Sequence, residues 1–157
     1  MTRLTRAVLP GMIRRGTGGI VNISSLLALS GTMPPNPLPY RATYAAAKAY
    51  MLTFTQAIAG ELHGTGVGIQ VCLPGRVSTE FHTSQGIDIG KMPPMMTADD
   101  LVTASLAALA RGEVVCVPAL ADTTLLDRIA EARVAIFTAA ALQPVPAERY
   151  RSSTCTA

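Results

Sequence analysis

Apolar residues recur along the chain with two periods, helical and strand-like, and the two alternate. Residues 2–15 put Leu4, Ala7, Val8 and Met12 on one stripe with arginines elsewhere, an amphipathic helix that Pro10 is expected to bend or end early. The breaker cluster Gly16-Thr17-Gly18-Gly19 leads into Ile20 to Ser24, a short β-branched run that reads as a strand covered on both faces. Four prolines between 34 and 39 then exclude both helix and ladder. From Thr43 to Leu62 runs an alanine-rich helix with Thr43 as its cap, stopped by Gly64, Gly66 and Gly68. Ile69 to Leu73 predicts a second strand, closed by Pro74-Gly75 and followed by a long loop over 76–96. Thr97 opens a third helix ending at Arg111-Gly112, Val114 to Pro118 predicts a third strand, and Thr123 to Ala141 a last helix.

Strands alternating with helices of this length imply parallel crossovers, hence an α/β layer fold with about three parallel strands. Three is few for a parallel sheet, so the pattern looks like one half of a larger one. The domain is expected over residues 1–142, with 143–157 as a flexible tail. A chain of 157 residues, 49% apolar and 15% charged, is long enough for a real core and too hydrophobic to stay disordered. Its longest apolar stretch, Val134 to Leu142, falls far short of the roughly 20 residues a bilayer needs. Cys72, Cys116 and Cys155 are odd in number and lack CxxC spacing, which fits a reducing cytosol better than a disulfide framework or a zinc knuckle.

Charge is unevenly distributed. Residues 1–60 hold six basic and no acidic residues, while the remainder holds seven basic and ten acidic. Such a basic half could serve nucleic acid, a phosphate-bearing ligand or a missing acidic partner segment. With 4% aromatics and no basic run interleaved with them, nucleic acid is not expected. The arginine-rich start has the composition of a transit peptide, but it leads straight into a strand and reads as part of the fold.

Tyr44 and Lys48 stand one helical turn apart, so their side chains share a face. A phenol normally titrates near pH 10, and a neighbouring ammonium favours the phenolate, making a usable acid or base. Taken alone, the pair reads better as a surface tyrosine resting on a lysine stem than as chemistry. Two further segments change the odds. The strand ending in Ser24-Ser25 and the turn from Pro74 to Thr79 both emerge at the carboxyl edge of a parallel sheet, where open α/β sheets bind ligands. Ser25, Tyr44, Lys48 and the turn should converge on one crevice.

These segments, taken in order, carry a resemblance. GIVNISS (Gly19 to Ser25), YAAAKA (Tyr44 to Ala49), Glu61-Leu62 with Gly66-Val67, and LPGRVSTEF (Leu73 to Phe81) resemble the carboxyl-terminal, catalytic half of a short-chain dehydrogenase/reductase. The resemblance implies a truncated Rossmann-like three-layer parallel sheet and an NAD(P)-dependent oxidoreductase moving hydride to or from a small carbonyl or alcohol. By that resemblance Ser25 would hydrogen-bond the substrate oxygen, and Tyr44 would give or take its proton. Lys48 would favour the phenolate and hold the nicotinamide ribose, while Pro74, Gly75, Val77 (by its backbone) and Thr79 (by its hydroxyl) would line the nicotinamide end. Ser24 is the neighbouring alternative to Ser25. The resemblance also implies a homo-oligomer built through helix 43–62.

The chain departs from the family in two ways. The interval from Ser25 to Tyr44 is longer than usual, by the proline-rich segment. The family's first half, with its glycine-rich turn and the residue that selects NAD or NADP, has no counterpart here. Gly16/Gly18/Gly19 and Gly64/Gly66/Gly68 do not replace it: each set follows a helix and precedes a strand, the reverse of a phosphate cradle. Two readings therefore stay open, an oxidoreductase whose true start lies upstream of Met1 and a catalytically inactive relative kept for binding or dimerisation. In either case the chain alone is expected to be marginally stable or to self-associate, and to bind dinucleotide weakly if at all. No metal site is expected, since His63 and His82 lack paired ligands, and the sequon at Asn22 lies in a strand.

Overall fold

The computed structural model of the chain describes residues 1–34, 40–80 and 93–151. Residues 35–39 of the proline-dense stretch, residues 81–92 with His82 and Met92, and residues 152–157 with Cys155 lie outside the described residues. The elements are α1 (Thr2–Arg15), β1 (Gly18–Ile23), a 3-10 helix (Leu26–Thr32), α2 (Ala42–Glu61), β2 (Val67–Cys72), α3 (Ala98–Ala110), β3 (Val115–Cys116), α4 (Thr124–Ala140) and a closing 3-10 turn (Glu148–Tyr150). The three strands form one open parallel sheet in the order β1-β2-β3. Gly18 pairs with Val67 through to Ile23 with Cys72, and Val71 pairs with Val115.

The side-chain alternation of β2 builds the layers. Its odd-numbered residues face α1 and α2: Val67 and Ile69 pack with Leu62, Leu9 and Met12, and Val71 with Leu52, Ala28 and the following Leu73. Cys72 faces the other way, onto Leu101 and Ala108 of α3. Gln70, on that same side, is fully buried and fully used: its Nε2 donates to Glu113 O (3.2 Å) and its Oε1 accepts from Ser105 Oγ (2.6 Å). Burying each such Val or Leu contributes about 1.5–3 kcal/mol.

Several expectations need correction. Helix α1 runs through Pro10 and ends at Gly16 in the left-handed conformation, φ 66°. Its inward face is Thr5, Leu9 and Met12: of the expected stripe Met12 packs against the core, while Leu4 and Ala7 are exposed. Residues 26–32, given no structure by the pattern, form a 3-10 helix with Ser25 as its cap. Helix α2 starts at Ala42 and is preceded by Arg41, so Thr43 caps nothing. Within the span expected as loop, Val77 and Met96 form a parallel bridge. Strand β3 is only Val115–Cys116, since β2 turns away at Pro74 and Pro118 has no amide to donate.

The chain divides into two compact units, Met1–Ala119 and Leu120–Ala157, whereas the pattern put the boundary at 142. The second unit holds α4, which buries none of its residues; Asp122 Oδ1 accepts from the amide and hydroxyl of Thr124 just before it. Among the described residues no helix is long and apolar enough to cross a membrane.

Candidate active site

Helix α2 is held to β1 by a stripe of polar contacts running up one of its faces. At the lower end the buried Thr55 hydroxyl accepts from Asn22 Nδ2 (3.0 Å) and donates to Met51 O (2.8 Å). One level higher, Ser24 Oγ donates to the carbonyl of Lys48 (3.0 Å). Above that contact the stripe leaves the core, and the Lys48 ammonium stands over the Tyr44 ring, 5.4 Å from its centroid. Tyr44 is 50% exposed, and among the described residues its hydroxyl makes no hydrogen bond.

The serine pair divides its work. Ser24 is buried, and its hydroxyl is used up on the backbone of α2. Ser25 lies at the carboxyl edge of β1, extended (φ −162°, ψ 153°), and its Oγ accepts from Leu27 N (3.2 Å). That contact uses a lone pair and leaves the hydroxyl proton available to an incoming acceptor. The same edge is extended by Leu26 N donating to Pro74 O (2.9 Å), which brings Ser25 beside the turn that closes β2.

The turn has a buried base and an open rim. Pro74 is buried, whereas Gly75 and Thr79 are exposed, and a side chain built on Gly75 would meet no atom within 4 Å. Val77 packs on the Cys72–Leu101 cluster. Its bridge to Met96 uses the flanking groups, with Ser78 N donating to Met96 O (2.8 Å) and Met96 N to Arg76 O (3.2 Å). In a parallel ladder this leaves the Val77 amide and carbonyl facing the opposite side. The structure thus gathers Ser25, Pro74 and Gly75 at one edge, and joins Tyr44 and Lys48 to that edge through Ser24.

The glycine sets lie at the other end of the sheet. Gly16 and Gly66 meet backbone to backbone, and a Cβ on Gly66 would fall 2.2 Å from Gly16 O. Among the described residues no strand passes through glycines into a helix amino terminus, the arrangement that holds a pyrophosphate. The sequence pattern did not show the tie from Ser24 to Lys48 or the hydrogen bonds by which Arg41 holds Ser30 and Pro34. The Ser-Ser pair and a lone arginine three residues before Tyr44 were the only signals for them. An apolar groove of about 480 Å³ runs beside Ala28, Met33, Arg41, Ala45 and Ala49, on a face of α2 away from Tyr44 and Lys48.

Cys72 and Cys116 are register neighbours across β2 and β3 and are buried as free thiols. Burial, with Cys116 alongside, pushes the Cys72 thiol up to about 12, and burial also raises Cys116. Native protein at neutral pH should therefore leave both unmodified by iodoacetamide, and denaturant should expose both; labelling of either in the folded chain contradicts their burial. Since the unfolded chain releases these protons first, near pH 9, stability should fall as pH rises from there toward 12.

A family model described as short chain dehydrogenase matches residues 1–89. The ketoacyl reductase HetN of Nostoc sp. is 36% identical over 107 residues, which are 68% of this chain and 35% of that protein. Among solved structures, a short-chain dehydrogenase from Sphingobium yanoikuyae in complex with NADPH superposes with a TM-score of 0.81 at 34% identity. That superposition covers 96% of this chain and 56% of that one. A bulky-bulky ketone specific alcohol dehydrogenase from Comamonas testosteroni gives a TM-score of 0.77 at 30% identity, over 95% of this chain and 53% of that one. The chain therefore spans about a third to about half the length of these relatives.

Proposed function

Because the chain belongs to the short-chain dehydrogenase family, we propose that it carries the catalytic half of an NAD(P)-dependent oxidoreductase acting on a small carbonyl or alcohol. The observation that carries this reading is the division of labour between the serines. Ser24 fastens the helix at Lys48, and Ser25 and Tyr44 keep unspent hydroxyls at the open sheet edge. A carbonyl oxygen there would accept from Ser25 Oγ and receive a proton from Tyr44, with the reverse transfer in oxidation. Lys48, 5.4 Å from the Tyr44 ring, stabilises the charge the phenol acquires as its proton leaves. Lys48, Pro74, Gly75, the Val77 backbone and Thr79 fit the nicotinamide and ribose end of NAD or NADP, which supplies the hydride when bound. The test is NADPH- and NADH-dependent reduction of a panel of ketones by the chain joined to the family's cofactor-binding half, expected to proceed; no turnover with either would refute the reading.

A second reading, a non-catalytic module that associates through α2, is favoured by two observations. No phosphate cradle lies among the described residues, and Tyr50 and Phe54 stack at 5.9 Å on α2 with Tyr50 half-exposed. Dinucleotide titration with sedimentation, carried out on that joined chain, separates the two. Self-association without binding supports the module, and micromolar NADPH binding removes it.

A further inference from the structure

Arg41 immediately precedes α2, three residues before Tyr44, and its guanidinium reaches away from its own helix. Nε donates to Ser30 Oγ (3.3 Å) and Nη1 to Pro34 O (3.1 Å). Nη2 donates to Ser30 O (3.1 Å) and also to Met33 O. All these acceptors lie at the carboxyl end of the 3-10 helix 26–32, where carbonyls lack internal partners and a cation is favoured. The opposite end of that helix is capped by Ser25, whose Oγ accepts from Leu27 N and whose carbonyl accepts from Ala28 N (2.9 Å). Between the two ends Ser30, 1% exposed, donates to Leu27 O (2.8 Å), and Ala28 packs with Leu52 of α2 and with Leu73. The segment is thus a short stiff strut. One end holds Ser25, and Arg41 ties the other to the start of the helix that carries Tyr44.

We propose that Arg41 is a positioning residue: by tying the far end of the Ser25 strut to the first turn of α2, it sets the separation of the Ser25 hydroxyl and the Tyr44 phenol. This inference rests on the oxidoreductase reading above. Arg41 touches neither substrate nor proton. It acts through the carbonyls it holds, and the fork matters because several acceptors at fixed spacing are engaged together, which an ammonium cannot reproduce.

The test, carried out in the chain joined to the family's cofactor-binding half, compares wild type, Arg41→Ala, Arg41→Lys and, as a control on the reading itself, Tyr44→Phe. Arg41→Ala should lower kcat by about 100-fold, the cost of a misplacement on the order of 1 Å, with little change in KM. Arg41→Lys should recover little, and added guanidinium ion should restore part of the loss in Arg41→Ala. Exchange of the Ala28 and Met33 amides should quicken in Arg41→Ala while the amides of β2 keep their protection. Wild-type kcat in Arg41→Ala overturns the inference, as does a loss that tracks the fraction unfolded and is not relieved by guanidinium. An inactive wild type, or an active Tyr44→Phe, instead overturns the oxidoreductase reading and the inference with it.

Discussion

Replacing Tyr44 with phenylalanine is expected to lower the turnover of carbonyl reduction by roughly 100- to 10,000-fold, the usual contribution of a positioned proton donor. The unfolding transition should stay where it is. The tyrosine is half-exposed, its hydroxyl has no hydrogen bond among the described residues, and a phenyl ring preserves the contact with the Lys48 ammonium. The substitution therefore removes one oxygen and one transferable proton and little else. Measuring kcat beside a thermal melt separates chemistry from folding. Near-normal turnover in Tyr44→Phe would mean that the proton comes from another group, and the site would have to be rebuilt around it.

Gly66→Ala is expected to be strongly destabilising, at about 3 kcal/mol. Two costs combine there. Gly66 has φ 74°, a conformation that costs an L-residue roughly 1–2 kcal/mol. Its new Cβ would also stand 2.2 Å from the backbone oxygen of Gly16, an atom that no rotamer change can move, and forced repacking adds about 1–3 kcal/mol. Gly64→Ala is the control. Gly64 has nearly the same φ, 77°, but nothing within 4 Å of the added atom, so it should cost only the backbone strain. Urea unfolding of both variants resolves the difference. Equal midpoints would mean that the two turns do not press together as described.

That contact shows where pattern and structure part. Both glycine sets are legible from sequence as helix stops that precede strands, because the order of breaker and β-branched run is local information. That Gly16 and Gly66 touch is not legible, since they are fifty residues apart and are brought together only by the parallel register of β1 on β2. The same holds at the opposite edge. Tyr44 and Lys48 announce their shared face by spacing alone. Nothing in the string Ser24-Ser25 says which hydroxyl is consumed, and the packing of α2 against the end of β1 decides it by putting the Lys48 carbonyl 3.0 Å from Ser24 Oγ.

Helices and strands follow from near-neighbour periodicity, and so α1, α2, α3 and the three parallel strands were visible in the chain as written. The 3-10 helix at 26–32 was not. It is held by Ser25 at one end and by Arg41 at the other, so part of its support comes from a side chain beyond the proline-rich stretch, which local periodicity cannot show. Local propensity and spacing, by themselves, determined the layered α/β plan and the shared face of Tyr44 and Lys48, while the catalytic roles of Ser25, Tyr44 and Lys48 came from the family resemblance. Which hydroxyls stay unspent, which glycines touch and which groups Arg41 holds were decided only by the tertiary structure, because each depends on a distance between residues that local patterning does not set.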